Sequence, residues 1–406
     1  MACILHIISP LLIEHACKDN YLLRFKWVFH FFVVLLVNLM GSADVLNLSQ
    51  DAVFQYIRSL YGEKVKLCRI WRLGETPEAS DDLKGFGYGC PYVIEFRHEG
   101  KTRRVVLETM RPGEGFGHDH FSDRAQALIW QNSAFNKLPK HVRSVDAGCF
   151  EDTGKIVSVG RGKEYFILTE FIEGKLYHLD LDRLKETGIL SELDMNRCVA
   201  LSDYLSEIHK TRYSSSGLYV RRIRDLVGHG ECIMGLLDSY PKEFAYVDKS
   251  YFIDIEKACV EWRWKLKERA HRLSQVHGDF HPWNILFREG VDFTALDRSR
   301  GEWGEPADDI AALTLNYLFY SLQKYGELSG VFDTLFKLFW ENYLKNTRDS
   351  EILEVIQPFY AWRSLVVASP IWYPHLSVDT RVKLLNFAQN MLQHERFNIM
   401  DVNSLF

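Results

Sequence analysis

The hydrophobic pattern of the chain changes once, near Gly174. Before that point, short apolar runs that alternate or cluster like β-strands occupy residues 65–73, 91–97, 103–110, 143–150 (RSVDAGCF) and 165–172 (YFILTEFI). After it, apolar residues recur at helical spacing, most clearly over 194–210, 248–271 and 308–323. Strands followed by helices predict an α+β protein with two lobes that join near this glycine.

Chain length supports the same division. At 406 residues the chain exceeds the usual size of one compact domain. We predict a β-rich N-terminal lobe over residues 44–172 and a helical C-terminal lobe over 173–406. Within the first lobe, SQDAVFQYIRSLYG predicts a helix that ends at Gly62, HEGK predicts a hairpin turn, and Ser122 is placed to cap a helix that runs to Phe135.

Composition narrows the class of protein. With 47% hydrophobic and 25% charged residues, the chain is typical of a globular protein with a large core. Its net charge of −5 provides no basic surface of the kind that binds nucleic acid, whereas the mild acidic excess would suit a cationic substrate. The eight scattered cysteines contain no C-x-x-C pair and indicate reduced thiols in a cytoplasmic protein. Nothing in the sequence sets the oligomeric state.

The segment VHGDFHPWNILF, residues 276–287, concentrates groups suited to phosphoryl transfer. That reaction needs a hydroxyl that is oriented and relieved of its proton, and a divalent cation that neutralises charge on the phosphates. Asp279 is placed to accept the proton. Asn284 and, after a short gap, Asp297 offer the hard oxygen ligands that Mg²⁺ prefers.

The same residues carry a resemblance to a known family. His277, Asp279 and Asn284 match the H-x-D-x-x-x-x-N catalytic loop of the aminoglycoside phosphotransferase and choline kinase-like superfamily, which has a protein-kinase-like two-lobed fold, and Asp297 matches its metal-binding aspartate. GEPADDIAAL resembles the G-D-P-x-x-D-L-A stretch of that family, in which Asp309 would brace the loop. The resemblance implies transfer of the γ-phosphate of ATP, with Mg²⁺, to a hydroxyl of a small molecule such as a sugar, an aminocyclitol or an amino alcohol.

Each of these residues also has a structural explanation. A single aspartate in a loop is usually a turn former, and a single histidine is usually packed or hydrogen-bonded. Four matching positions in the right order and spacing favour the functional interpretation of Asp279. For His277 we prefer a structural hydrogen bond that holds the loop, and for His281 and Trp283 we predict packing roles.

The nucleotide side of the resemblance is carried by the first lobe. Gly85, Gly87 and Gly89 alternate between two predicted strands and would let a hairpin lie close over phosphates, with an ordinary flexible turn as the alternative. FILTEFIEG resembles the hinge of the family, where backbone groups of Glu170, Phe171 and Ile172 would bind adenine.

The chain departs from the family on its third strand. Kinase-like folds carry a lysine there, which contacts the phosphates of ATP and pairs with a helix glutamate, but RRVVLETM has Glu108 at that point. We predict an inverted pair in which Arg124, in the next helix, binds the phosphates and Glu108 orients it. The alternative is that the strand register differs or that Glu108 faces solvent.

The resemblance does not identify the acceptor. Only eight residues separate Asp297 from Pro306, which leaves no room for the activation segment on which a protein kinase binds its peptide substrate. A small molecule is therefore expected, in a pocket formed by residues 213–274 and the aromatic tract of Trp362, Trp372 and Tyr373, although each aromatic could equally belong to the core. The relatives phosphorylate aminoglycosides, choline, homoserine and modified sugars.

Two alternative functions and one histidine cluster also have to be considered. A nucleotide-binding pseudokinase scaffold would account for Glu108, but it would not need all three polar residues of the catalytic centre, and nucleotidyl transfer from an inverted ATP is possible on this fold. PGEGFGHDHF places His118 and His120 around Asp119 without a fourth metal ligand, so we predict a mobile glycine-rich loop and no metal.

The first 43 residues form an apolar extension. WVFHFFVVLLVNLM, residues 27–40, resembles the core of a signal peptide, but it is short and is interrupted by His30 and Asn38, so a membrane anchor is the less favoured alternative. Export would separate the protein from ATP. We therefore favour a true start at Met40 and a cytoplasmic location.

Overall fold

The computed structural model describes residues 48–72, 89–110 and 117–406. The described residues contain helices and antiparallel sheets, with helix predominating, which agrees with the predicted α+β class. They form two compact units. The first comprises residues 48–72, 89–110 and 125–164, and the second comprises 117–124 and 165–406.

The first unit is built on a three-stranded antiparallel sheet. Its elements are α1 Gln50–Tyr61, β1 Val65–Arg72, β2 Gly89–His98, β3 Lys101–Met110, most of α2 Phe121–Phe135, β4 Gly148–Phe150 and β5 Ile156–Ser158. Helix α1 begins after Ser49, whose hydroxyl accepts from the amide of Ala52, and it ends at Gly62 with φ +93°. The sheet order is β1-β2-β3, and the HEGK turn joins β2 to β3 as predicted.

Two predictions for this region are wrong in detail. Helix α2 begins at Phe121, two residues earlier than a cap at Ser122 would place it, because the carboxylate of Asp123 accepts from the amide of His120, 2.8 Å away, and so caps the helix there. Of RSVDAGCF only β4 is a strand, and its partner is β5, directly across the DTGK turn. A nearby strand joined by a short turn loses less chain entropy on pairing than a distant one.

The segment YFILTEFI, residues 165–172, is not a strand. It belongs to the second unit and has no regular secondary structure. Phe166, Ile167, Leu168 and Phe171 have between 86% and 90% of their surface exposed. The apolar side chains that predicted a strand here are therefore not covered by other described residues.

The second unit is mainly helical. Its strands are β6 Lys175–Leu176, β7 Ser274–Gln275, β8 Ile285–Phe287, β9 Phe293–Ala295 and β10 Trp303–Gly304. Its helices are α3 His178–Thr187, α4 Glu192–Lys210, α5 Ser216–Gly228, α6 Ile233–Asp238, α7 Lys249–Leu266, α8 Pro306–Tyr325, α9 Gly330–Thr347, α10 Gln357–Ala368 and α11 Val378–Gln393, with 3₁₀ turns at Ala270–Arg272, Pro282–Asn284, Ser350–Glu354 and Val402–Leu405.

Helix α8 forms the centre of this unit. Every residue from Asp309 to Leu322 is buried, as expected of a helix that is apolar on all sides. Pro306 occupies its first turn, where the missing N–H costs nothing, and Gly326 ends it with φ +76°. Neighbouring helices α3, α9 and α10 pack around it. The N-terminal turn of α8 is thereby fixed within the core.

Some of the predicted features lie outside the described residues. These are the apolar extension over residues 1–43, and Gly85 and Gly87 of the glycine-rich hairpin. In the parts of the chain that are described, each helix is either too short or too polar to cross a bilayer.

Candidate active site

Two short antiparallel ladders bring the candidate residues together. Strand β7 leads into the loop over residues 276–284, here called the 276–284 loop, and β8 leaves it. Strand β8 pairs with β9, so that Ile285 lies opposite Ala295, and the amide of Leu296 donates to the carbonyl of Asn284 at 2.8 Å. Asp297 is the residue after Leu296, so the backbone of Asp297 begins beside that of Asn284.

Asp309 holds the start of the 276–284 loop. One carboxylate oxygen accepts from the amide of His277 at 2.8 Å and the other from the amide of Gly278 at 2.7 Å. The ring of His209, at the end of α4, lies 3.1 Å from the first oxygen. Burial alone would raise the pKa of Asp309, but His209 and the loop amide outweigh it and lower that pKa. Asp309 thus braces the loop as an ionised acceptor, in the way the family resemblance implied.

His277 has the structural role expected of it. Its Nδ1 accepts from the amide of Asp279 at 3.2 Å, and its Nε2 lies 2.9 Å from the carbonyl of Leu296. A neutral imidazole satisfies both bonds only with the proton on Nε2. The ring therefore ties the loop to the residue before Asp297 and has no nitrogen left for proton transfer.

Asp279 is ionised and held from one side. Its Oδ1 accepts from Nη1 of Arg363 at 2.5 Å, while its Oδ2 faces the amide nitrogen of Asn284 at 3.4 Å and the ring of His281 at 3.5 Å. Burial alone would raise the pKa of Asp279, but the charges of Arg363 and His281 hold it well below its usual range. One oxygen is thus fixed, and the other borders the side chains of the loop.

Arg363, in α10, was missed by the sequence analysis. Besides Asp279 it binds Oδ1 of Asp308 at 2.7 Å and the carbonyl of Gly278 at 3.1 Å, and it stacks over the ring of Trp362 at 4.0 Å. Burial raises the pKa of Asp308 to about 6, against the opposing charges of Arg363 and Arg300. The available signal was a lone cation in the otherwise uncharged helix QPFYAWRSLVVA.

The two candidate metal ligands offer one amide and one carboxylate. The amide nitrogen of Asn284 donates to the carbonyl of Asp279 at 3.1 Å, so its amide oxygen is the group left for a cation. Asp297 is exposed and has φ +55°, a backbone conformation that residues other than glycine rarely adopt and that is common at functional sites. Among the described residues no three acidic, histidine or cysteine side chains converge as a metal cage. This donor pair fits Mg²⁺, which commonly takes one or two protein ligands together with phosphates and water.

The nucleotide-side residues are distributed over both units. Glu108 lies on the exposed face of β3 in the first unit, opposite to Val105 and Leu107, which pack in its core. Arg124 belongs to the second unit, where its Nη1 donates to the carbonyls of His118 and Asp119 at 2.9 and 3.2 Å. The inverted pair of Glu108 and Arg124 remains a prediction.

The other predicted nucleotide contacts are placed as follows. Gly89 is the first residue of β2. Glu170, Phe171 and Ile172 lie in the irregular segment described above, with the side chain of Phe171 89% exposed. Their assignment to adenine binding also remains a prediction.

The residues around His118 and His120 are organised by an arginine. Arg221 of α5, which the sequence analysis missed, binds the carboxylates of Asp119 at 2.9 Å and Asp123 at 2.5 Å. The hydrogen bond from Arg221 lowers the pKa of Asp123 to about 2. A guanidinium thus neutralises the acidic side chains that a metal would otherwise need.

The three aromatic residues proposed for the acceptor pocket differ in their surroundings. Trp362 is buried and lies beneath the guanidinium groups of Arg363 and Arg300, so it belongs to the core under the site. Trp372 is 65% exposed. Tyr373 contacts the ring of Trp283 with centroids 6.5 Å apart, and burial raises the pKa of Tyr373 to about 12, with a further contribution from Asp279.

Comparison with known proteins finds solved structures of low similarity and no sequence match. No family model and no curated protein matches the chain. An amicoumacin kinase solved with AMP-PNP and Ca²⁺ is 16% identical, with a TM-score of 0.38 over 87% of this chain and 97% of that one. A choline kinase from Cryptosporidium parvum is 13% identical, with a TM-score of 0.33 over 86% and 94% of the two chains. An ADP-bound aminoglycoside phosphotransferase is 13% identical, with a TM-score of 0.32 over 85% and 99%.

These three solved structures belong to the protein-kinase-like superfamily that the motif at His277, Asp279 and Asn284 resembles. Their identities of 16% and below and their TM-scores below 0.5 do not assign an activity to this chain. A functional assignment therefore depends on the chain's own residues, above all on Asp279. Its Oδ1 is paired with Arg363, and its Oδ2 is not engaged by that arginine.

Proposed function

We propose that the protein is an ATP-dependent phosphotransferase that transfers the γ-phosphate to a hydroxyl of a small molecule. The observation that carries the proposal is the geometry of the 276–284 loop. Its backbone is fixed by Asp309, it presents one oxygen of Asp279, and it places Asn284 beside the residue that precedes Asp297. Positioning and charge neutralisation are the main requirements of phosphoryl transfer.

Asp279 orients the acceptor and receives its proton. The acceptor oxygen forms a bond to the γ-phosphorus, the bond from that phosphorus to the β–γ bridging oxygen breaks, ADP leaves with that electron pair, and the hydroxyl proton passes to Oδ2 of Asp279 and then to solvent. Because the transition state is loose, the hydroxyl needs little deprotonation before the bond forms. A carboxylate kept weakly basic by Arg363 is sufficient for this role.

Asn284 and Asp297 would hold Mg²⁺ through their side-chain oxygens. When bound, the ion neutralises charge on the ATP phosphates. Leu296, the residue before Asp297, donates its amide to the carbonyl of Asn284, so the two candidate ligands lie on neighbouring stretches of backbone. In the proposal the backbone of Glu170 to Ile172 and the hairpin around Gly89 contribute to binding adenine and phosphates.

The segment between Asp297 and α8 favours a small acceptor. Arg298 donates through Nε and Nη2 to the carbonyl of Val276 at 3.0 and 2.8 Å, and β10 pairs with β7. The short segment is therefore tied down along its length, with no free stretch on which a peptide substrate could be bound.

A nucleotide-binding scaffold is the second candidate, favoured by one observation. The third strand of the sheet carries the exposed carboxylate Glu108 where a lysine would be expected. Close to phosphate such a carboxylate repels by about 4 kcal/mol per charge pair at an effective dielectric near 20 and a separation of about 4 Å. A protein that binds nucleotide without turnover would tolerate this arrangement.

One assay separates the two candidates. The full chain is incubated with γ-labelled ATP, Mg²⁺ and a panel of sugars, hydroxy acids, amino alcohols and aminocyclitols, and label transfer is measured beside the Asp279→Asn variant. We expect transfer to at least one class of acceptor and its loss in the variant. Binding of ATP without transfer to any acceptor would favour the scaffold.

A further inference from the structure

Arg300 differs from the other arginines near Asp279 in its partners. Its Nη1 lies 3.2 Å from the sulfur of Cys232, and its guanidinium stacks over Trp362 at 4.6 Å. Its Nε is buried and has no hydrogen-bond partner in the described parts of the chain. None of the carboxylates described by the structure lies within ion-pair distance of it.

Two other buried guanidinium groups of this unit, those of Arg363 and Arg272, are compensated by carboxylates. Arg363 pairs with Asp279 and Asp308. Arg272 pairs with Glu305 and Asp349, each at 2.7 Å. A charge withdrawn from water is costly unless an opposite charge accompanies it. Arg300 is thus a partly buried cation without a carboxylate partner among the described residues.

Neither neighbour of Arg300 can serve as that counter-ion. Burial raises the pKa of the Cys232 thiol to about 11, so the sulfur stays neutral at physiological pH. Asp308 is close enough for the charge of Arg300 to oppose the effect of burial, but its ion pair is with Arg363. The guanidinium of Arg300, between Cys232 and Trp362, is therefore left without an ionised partner among the described residues.

Arg300 lies directly beside the residue that precedes Asp279. A β-carbon placed on Gly278 would come within 3.0 Å of the β-carbon of Arg300, which shows how closely the two backbones approach. Gly278 has φ +87°, a conformation that favours glycine. The backbone of Arg300 therefore lies against the residue that precedes Asp279 in the chain.

We propose that Arg300 binds an anionic group of the acceptor, so that the substrate is a hydroxyl compound bearing a carboxylate or a phosphate. This inference rests on the proposed phosphotransferase function and specifies its substrate class. Arg363 already pairs with the carboxylates of Asp279 and Asp308, and Asp297 is assigned to the metal, so the acidic groups named for this site each have a cationic partner or a proposed one. The planar guanidinium fork suits both oxyanions. The cationic acceptor suggested by the net charge of the chain is replaced by an anionic one.

Matched acceptors test the charge preference. Initial rates are measured with glucose, gluconate, glucose 6-phosphate and glucosamine, and with glycerol, glycerate, glycerol 3-phosphate and serinol. The wild type is compared with Arg300→Gln and with Arg288→Gln, a partly exposed hairpin arginine paired with Asp292. We expect kcat/KM of the wild type to favour an anionic acceptor by about tenfold or more over its neutral and cationic partners, as for other charge-assisted contacts. The carboxylate and phosphate arms identify which oxyanion is bound.

The variants locate the effect. Arg300→Gln should raise KM for the anionic acceptors about tenfold and leave the neutral ones nearly unchanged, whereas Arg288→Gln should match the wild type. Arg300→Lys, which keeps the charge, should retain part of the preference. A wild type that prefers neutral or cationic acceptors overturns the inference but leaves the phosphotransferase intact. An equal loss of kcat for all acceptors in Arg300→Gln also overturns it, since Arg300 would then act on the transferred phosphate.

A binding measurement decides the case in which no acceptor is phosphorylated, which would count against the proposed function itself. Thermal unfolding of the wild type, Arg300→Gln and Arg300→Lys is followed in increasing malonate, lactate and inorganic phosphate at constant ionic strength. Stabilisation by one of these anions that disappears in Arg300→Gln and persists in part in Arg300→Lys supports the anion site. Equal curves for the three proteins reject it.

Discussion

The 276–284 loop and the segment over residues 165–172 both contain phenylalanine, but the ring is buried in the loop and exposed in the segment. In the loop, Phe280 is fully buried and stacks on Tyr204 with centroids 5.6 Å apart. In the segment, Phe166 is 90% exposed. The loop is fixed by bonds from its own backbone to Asp309, whereas an apolar strand is stable only when another strand or a core covers it. Hydrogen bonds from the backbone to Asp309, more than hydrophobic content, therefore explain why the loop can hold side chains in place for a reaction.

The largest expected effect lies in the loop itself. Asp279→Asn should lower turnover by about 10² to 10⁴, because the acceptor hydroxyl loses the group that orients it and takes its proton. Binding of ATP with Mg²⁺ should change little. Single-turnover kinetics and calorimetric titration of the nucleotide measure the two quantities. Asp292→Asn, in an exposed hairpin, is the matched control, and near-normal turnover of Asp279→Asn would remove this residue from its role.

The comparison between the two phenylalanines can be tested directly. Phe280→Ala should lower the free energy of unfolding by about 3 to 5 kcal/mol, since it removes a buried ring. Phe166→Ala should change it by less than about 0.5 kcal/mol, as expected for an exposed side chain. Urea unfolding followed by circular dichroism gives both values. Similar losses in the two variants would mean that residues 165–172 are packed in solution, and the contrast drawn above would fail.

The polar anchor of the loop should contribute somewhat less. Asp309→Asn places an amide donor against the amides of His277 and Gly278, and we expect a loss of about 2 to 3 kcal/mol in the free energy of unfolding. Asp254→Asn makes the same substitution on an exposed turn of α7 and should have almost no effect. Loss of stability equal to that of the control would show that Asp309 does not brace the loop.

The smallest effect concerns how the free energy of unfolding changes at acid pH through the ion pairs of Glu351 with Arg269 and Arg272. Burial alone would raise the pKa of Glu351, but hydrogen bonds from His271, Arg269 and Arg272 lower it to about 2. Because the folded pKa lies below the ordinary glutamate value of 4.5, the stability contributed by Glu351 is complete above pH 4.5 and declines as pH falls toward 2.

Unfolding in urea between pH 2.5 and 6 measures this dependence. The difference in free energy of unfolding between the wild type and Glu351→Gln should be largest near pH 6 and should shrink steadily below pH 4.5. Glu341→Gln, at an exposed position of α9, controls for the substitution itself. A difference that stays constant with pH would show that Glu351 is not held ionised by its neighbours.

The sequence predicted interactions between residues that are close in the chain or belong to one motif, and it missed those between distant residues. The roles of Asp309 and His277 were predicted because the motif places each at a fixed spacing from the loop, and the α8 helix was predicted from the helical spacing of its apolar residues. Arg363 was missed because it lies 84 positions from Asp279, and pattern alone does not bring two such distant residues together. The strand predicted at 165–172 was wrong because pairing depends on a partner that alternation does not specify.

The placement of Asp309 in the first turn of a fully buried helix has a consequence for hydrogen exchange. The amides of His277 and Gly278 donate to a carboxylate that can move away only if α8 leaves the core. Their protons should therefore exchange with deuterium at the rate set by global unfolding of the unit, like the amides in the middle of α8. The geometry that orients the acceptor is then as long-lived as the folded unit itself, and ligand binding does not have to create it.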